Sequence, residues 1–157
     1  MKMKRIKRYQ RFIFTKFFFV TIILFSAFSG SSQTSSLTVI SNQKGAPSTL
    51  NFSELKSIFM GEQQRWRSGT KITIALMKTN TAAGKNTSET LYGMSADELN
   101  KFWLALVFQG KASAPNFFNS ATDLENFVAQ NPGAIGIVDQ VAANDEIKTV
   151  QVEGKKL

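Results

Sequence analysis

The sequence predicts an α/β domain in which helices pack on a mixed or parallel sheet. Short apolar or β-branched runs alternate along the chain with segments whose apolar residues recur every three or four positions. Capping residues stand before the helical segments, and Gly or Pro follows them. A length of 157 residues allows one domain of ordinary size and leaves no room for two substantial cores.

The first two elements are predicted to be a strand and a capped helix. Residues 37–40 form a β-branched run that ends in a turn-rich segment, which is typical of a strand. Asn51 can cap a helix, and Glu54 stands three residues further on. Apolar residues at helical spacing continue to Phe59, and Gly61 ends the predicted helix.

The middle of the chain predicts a strand, a loop and a second helix. Residues 71–77 alternate well enough for a strand with one buried face. Residues 78–89 have no clear period and are predicted as a loop that enters a short helix near residues 87–92. Ser95 and Glu98 predict a capped helix that ends at Gly110. Its predicted core face consists of Leu99, Phe102, Trp103, Leu106 and Val107.

The last part of the chain predicts one helix and two strands. The helix begins near Ser120 or Thr122 and ends at the turn of residues 131–133. Residues 134–138 are largely apolar and predict a compact strand. Residues 147–152 alternate and predict a final strand.

The N-terminal residues have the character of an export leader. Seven of the 19 Lys and Arg residues precede position 17, where no acid accompanies them, and the remainder of the chain is close to neutral. An apolar run and a small polar run follow, so residues 1–32 are expected to be a signal peptide or an N-terminal anchor, and residues 35–157 the domain. The protein is therefore expected in the periplasm or outside the cell, with membrane contact only through the leader and no nucleic-acid partner. No Cys follows the apolar run, so it is not a lipoprotein.

The absence of His and Cys excludes most catalytic and metal chemistry. The usual zinc sites, the Cys and Ser-His nucleophiles, Fe–S clusters and His-ligated haem are all excluded. No pair of acids is placed as a general acid and base. The sequence therefore predicts a protein that is not an enzyme and holds no cofactor or metal.

Two further groups of residues permit more than one interpretation. Arg67, Ser68, Gly69 and Thr70 could bind an oxyanion, but a predicted strand follows them, so a tight turn is expected. Phe117 and Phe118 follow Pro115 in a predicted loop, where they could belong to the core, stack on a ligand or form an exposed contact with another protein.

Four segments in order resemble the phosphate ABC transporter substrate-binding proteins and their small single-domain relatives over about 100 residues. The matching segments are residues 50–61, Trp66 with Gly69 before the strand at 72–76, residues 99–110 with Pro115, and residues 131–138. The resemblance implies a single lobe of the type II periplasmic-binding-protein fold, a mixed sheet with helices packed on it.

The resemblance also implies where a ligand would bind. In full-length phosphate binders, the anion is held by an Arg and a Ser-Gly-Thr that follow the strand equivalent to residues 72–77. At that place this chain has Lys78, Thr79, Asn80 and Thr81, and these are the predicted ligand positions, together with Ser41 and Asn42. Because the Arg and the Ser-Gly-Thr are absent from the place after this strand, binding of phosphate or another small inorganic or organic anion is expected to be weak or lost.

The predicted function is that of an exported, non-catalytic domain like a solute-binding protein. The alternative is a cell-envelope interaction module that uses the same fold without a small ligand. Its partner would be an envelope protein or a transporter, and Phe117 and Phe118 would lie in the contact.

Overall fold

The computed structural model describes residues 36–142, 144–154 and 157, and it confirms the predicted α/β class with a mixed sheet. The strands are β1 (Thr38–Asn42), β2 (Thr49–Asn51), β3 (Thr73–Met77), β4 (Asn116–Phe118), β5 (Ala134–Val138), β6 (Ile147–Thr149) and β7 (Gln151–Glu153). Five of them form the main sheet in the order β4-β3-β5-β1-β6, and β2 pairs with β7 in a second sheet. The predicted leader, residues 1–32, lies outside the described residues.

Strand direction gives the main sheet two distinct edges. Strand β3 is parallel to both β4 and β5, whereas β1 is antiparallel to β5 and β6. We call the end at which β3, β4 and β5 finish the carboxyl edge, which is marked by Met77, Phe118 and Val138. The opposite end, where β3 and β5 begin, is the amino edge. Because β1 runs the other way, it finishes at the amino edge, at Asn42.

Local capping signals set the helix boundaries. The helices are α1 (Phe52–Phe59), α2 (Ala82–Thr87), α3 (Ala96–Phe108) and α4 (Ala121–Gln130), and a π-helical turn, Ser88–Tyr92, continues α2. The predicted caps Asn51 and Ser95 are confirmed, and Ser95 forms a full capping box with Glu98. The last helix was expected to begin near Ser120 or Thr122, and Ser120 caps it. Within the described residues, none of the helices is long and apolar enough to cross a bilayer.

Two boundary predictions are wrong. Residues 82–87 were expected in a loop but are helical, because Thr81 caps α2 by accepting a hydrogen bond from the Gly84 amide. The predicted strand at residues 147–152 is two strands, because the chain leaves the main sheet at Val150. That residue is buried, its amide donates to the Val39 carbonyl at 2.8 Å, and β7 then pairs with β2.

The core is divided by the main sheet. Helices α1 and α3 pack on one face, against Ile74 and Leu76, whereas α4 packs on the other, against Ala75 and Met77. Strand β5 is buried along its whole length because helices cover both faces. Burying each large apolar side chain contributes about 1.5–3 kcal/mol, and the predicted core position of Trp103 is confirmed.

Candidate functional site

Residues 78–81 form an ordered loop at the carboxyl edge. The Lys78 amide donates to the Phe118 carbonyl at 2.8 Å, and the Thr81 amide donates back to the Lys78 carbonyl at 2.9 Å. The Thr81 hydroxyl donates to the same carbonyl at 2.8 Å and accepts from the Gly84 amide at 3.0 Å. The loop is therefore held between β3, β4 and the first turn of α2.

The four side chains of this loop differ in what they can offer a ligand. Lys78 and Asn80 are exposed, and no hydrogen bond ties their side chains to other described residues. Thr79 accepts a hydrogen bond from the Asn100 amide group at 3.3 Å. The hydroxyl proton of Thr81 is already donated to a backbone carbonyl. The side-chain donors of this loop are therefore the ammonium group of Lys78, the amide of Asn80 and the hydroxyl of Thr79, which accepts from Asn100 and keeps its own proton.

The carboxyl edge carries acids as well as this lysine. Helix α4 also begins at this edge, where Ser120 caps it and donates to the Asp123 carboxylate at 2.7 Å. Asp139 directly follows β5 and is half-buried. The first turn of α2, in contrast, contains no acid. A small anion at this edge is attracted at the α2 side and repelled by the carboxylates of the neighbouring segments.

Ser41 and Asn42 do not lie beside the loop of residues 78–81. They end β1 at the amino edge, whereas Lys78 follows β3 at the carboxyl edge. Both residues are buried. The Asn42 amide donates to the Val128 and Ala129 carbonyls at 2.9 and 2.8 Å. These two predicted ligand positions are therefore apart from the other four, and the Asn42 side chain secures the end of α4.

Phe117 and Phe118 lie in an edge strand, β4, and not in an exposed loop. Among the described strands, β4 pairs only with β3, and its side chains alternate between the two faces of the sheet. Phe117 packs against the α3 side of the core, and the Phe118 ring lies 5.1 Å from that of Phe127. Both are half-buried. The loop predicted for this pair is therefore a strand, and its part in a surface contact stays a prediction.

The predicted turn at residues 67–70 is present, and its backbone and the Arg67 side chain contact other parts of the chain. The Gly69 amide donates to the Trp66 carbonyl at 2.8 Å, and Gly69 has a φ of 85°. A groove of about 440 Å³ separates this turn from the loop between β1 and β2. Arg67 lies 3.8 Å from the Glu54 carboxylate across it, so the guanidinium already faces a negative charge. Its side chain is 92% exposed, which makes this a weak ion pair.

Sequence reasoning missed an apolar surface on α3. Leu104, Val107 and Phe108 are 58, 41 and 82% exposed, although Val107 was assigned to the core face. Leu99 and Trp103 are the buried residues of this helix, and Leu104 and Phe108 lie on another side of it. The signal in the sequence was an apolar residue at position 104, out of register with that core face.

Comparisons with known proteins support the fold. No protein-family model and no curated protein matches the sequence. Similar solved structures include an ABC-type phosphate transport receptor from Vibrio cholerae, a phosphate ABC transporter substrate-binding protein with bound phosphate from Clostridium perfringens, and PstS from Borrelia burgdorferi. Their TM-scores are 0.59, 0.60 and 0.54, and their identities to this chain are 18, 17 and 14%.

The matches cover most of this chain but less than half of each similar protein. The alignments cover 75–77% of this chain but only 45–47% of the three other chains. This chain therefore spans less than half the length of the proteins it matches. The resemblance stated from the sequence is confirmed as a shared periplasmic-binding-protein fold, and at such low identity the likeness concerns the fold alone.

Proposed function

We propose that this protein is an exported, non-catalytic domain of the solute-binding type that holds a small oxyanion weakly at the loop of residues 78–81. The observation that supports this is the placement of Lys78 and Asn80, both exposed, on an ordered loop at the carboxyl ends of parallel strands. Ligands of open α/β sheets bind at that end. Two of the similar structures are described as a phosphate transport receptor and as a phosphate ABC transporter substrate-binding protein with bound phosphate.

The affinity follows from the charge and exposure of the loop. One solvated ammonium group attracts an anion weakly, because water screens the interaction. Asp123 and Asp139 lie near the same edge and oppose it. Within the residues that the structure describes, no second lobe encloses this loop, and the alignments cover less than half of the similar proteins. Dissociation constants in the millimolar range, about 1–10 mM, are therefore expected.

The rest of the proposal concerns chemistry and location. The domain is not an enzyme, since its polar loop offers no nucleophile with an adjacent base. The leader at residues 1–32 directs export to the periplasm or the exterior and supplies the only membrane contact. An envelope protein or transporter is the expected macromolecular partner, and nucleic acid is not.

An NMR titration tests the anion site. The amide resonances of residues 78–81 are followed while phosphate, sulfate or an organic anion is added up to tens of millimolar. Lys78→Ala is compared with Lys85→Ala, which removes the same charge from an exposed position on α2. Saturable shifts that Lys78→Ala abolishes and Lys85→Ala preserves are expected. If no anion shifts these amides, or if both variants respond like the wild type, the binding proposal is refuted.

The alternative is an envelope interaction module without a small ligand. Phe117 and Phe118 support it less than expected, because both pack in β4. The exposed apolar residues of α3 are the specific observation that favours it. An absence of anion-induced shifts, together with loss of a copurifying partner on Phe108→Ser, would favour this alternative.

A further inference from the structure

Helix α3 presents a stripe of apolar and charged side chains to solvent. Leu104 and Phe108 form its centre and are 58 and 82% exposed. Asp97 and Lys101 precede them on the helix, Lys111 follows just beyond its end, and all three are exposed. We call these five residues the α3 stripe.

The spacing of the stripe gives it a centre. The first four members are four, three and four residues apart, which keeps them along one side of the helix, and Lys111 follows three residues later, after the left-handed Gly110. Leu104 lies at the midpoint, with Asp97 seven residues before it and Lys111 seven residues after it. The stripe therefore carries a negative charge on one side of the apolar centre and a positive charge on the other. Lys111 stays close to the helix because its amide donates to the Leu106 carbonyl at 3.0 Å.

We propose that the α3 stripe binds a second copy of this chain, with the two α3 helices antiparallel and a twofold axis at Leu104. In this arrangement Asp97 faces the partner's Lys111, and the symmetry forms the same pair twice. Leu104 packs on the partner's Leu104, and Phe108 covers the aliphatic part of the partner's Lys101. The two helix dipoles also oppose each other favourably.

Charge complementarity selects this occupant and this orientation. A parallel pair would place Asp97 beside Asp97 and Lys111 beside Lys111, which is unfavourable. An anionic membrane would attract the two lysines but repel Asp97 and the adjacent Glu98. A single helix pair buries less surface than a standard interface, so the dimer is weak and reversible. The inference does not depend on anion binding at residues 78–81.

Cross-linking of single-cysteine variants tests the contact. The chain contains no Cys, so Leu104→Cys provides one thiol, which can be linked only to another molecule. Packed helices lie about 8–10 Å apart, and a bismaleimide of that span is added to cells that express the full chain. Lys85→Cys, exposed on α2, is the matched control. We expect roughly tenfold more covalent dimer from Leu104→Cys.

Charge reversal in the Leu104→Cys background then tests the register. Asp97→Lys or Lys111→Asp alone should lower the dimer yield several-fold, and the two together should restore it, with thermal melting as the check of folding. Equal yields from Leu104→Cys and Lys85→Cys would overturn the dimer. Failure of the double reversal to restore the yield would overturn the antiparallel pairing. A cross-linked product of another mass would show that a different protein occupies the stripe, and would overturn the choice of occupant.

Discussion

Gly84 is the residue on which the position of the candidate loop most directly depends. It lies in the first turn of α2, against the backbone of the preceding loop and strand. A Cβ atom at this position would overlap the Lys78 carbonyl oxygen, and would lie 2.6 Å from the Lys78 carbonyl carbon and 2.7 Å from the Met77 oxygen. These are backbone atoms, so no side-chain rotation relieves the overlap.

Two opposing effects set the consequence of Gly84→Ala. Ala is favoured over Gly in a helix by about 1 kcal/mol. Overpacking costs about 1–3 kcal/mol, and the rigid neighbours place this site at the upper end of that range or above it. The net effect expected is a loss of about 2 kcal/mol of unfolding free energy. For a domain of this size the corresponding fall in melting temperature is roughly 5–10 °C.

Thermal and urea denaturation monitored by circular dichroism measures this effect. Gly93→Ala is the matched control, because Gly93 has a φ of 66° but no other atom lies near its added Cβ. It should lose only about 1 kcal/mol, the cost of the left-handed conformation. If Gly84→Ala is as stable as the wild type, or more so, then helix propensity outweighs the overlap and the reasoning is wrong.

Two further predictions concern polar side chains. Asn42→Ala removes two hydrogen bonds to α4 carbonyls, and it should lower the free energy of unfolding in urea by about 2–4 kcal/mol. Asn80→Ala, at an exposed position, is the neutral control. Equal stabilities of the two variants would contradict a stabilising role for the Asn42 side chain. The hydrogen bond from the Ser95 amide, followed by the one from its hydroxyl, lowers the pKa of Glu98. The stability that these bonds give the folded state is therefore present above the unfolded-state pKa of Glu98, and it is lost as the pH falls through its folded-state pKa. The melting temperature of Glu98→Gln should therefore fall less between neutral and acidic pH than that of the wild type. If the two melting temperatures fall equally with pH, the prediction is wrong.

Local patterns predicted the elements whose causes are local. Asn51 and Ser95 were identified as caps, because a capping side chain bonds an amide only three residues away. The start of the last helix was expected near Ser120 or Thr122, which agrees with the cap at Ser120. The start of α2 was missed because Thr81 stands before a segment without apolar periodicity, and close packing of Gly84 on β3 fixes that helix. Strand β4 was missed for a similar reason: its three residues are ordered by pairing with β3.

In the candidate site, too, some features follow from neighbouring residues and others depend on the tertiary structure. The position of residues 78–81 after a buried strand could be read from the chain, whereas the separation of Ser41 and Asn42 from that loop could not. Strand β1 is antiparallel to β5, and this reversal sends the end of β1 to the amino edge. Residues far apart in sequence meet or separate according to strand direction, which nothing near Asn42 specifies.

The amino-acid sequence alone determined the α/β class, most helix starts and the absence of His and Cys chemistry, because each depends on composition or on neighbours within one helical turn. The tertiary structure decided which polar groups remain exposed. In the folded chain the Asn42 side chain donates to α4 and the Phe118 ring packs on Phe127, whereas Phe108 remains exposed to solvent. Those outcomes depend on which surfaces the sheet brings together, and that is a property of the whole chain.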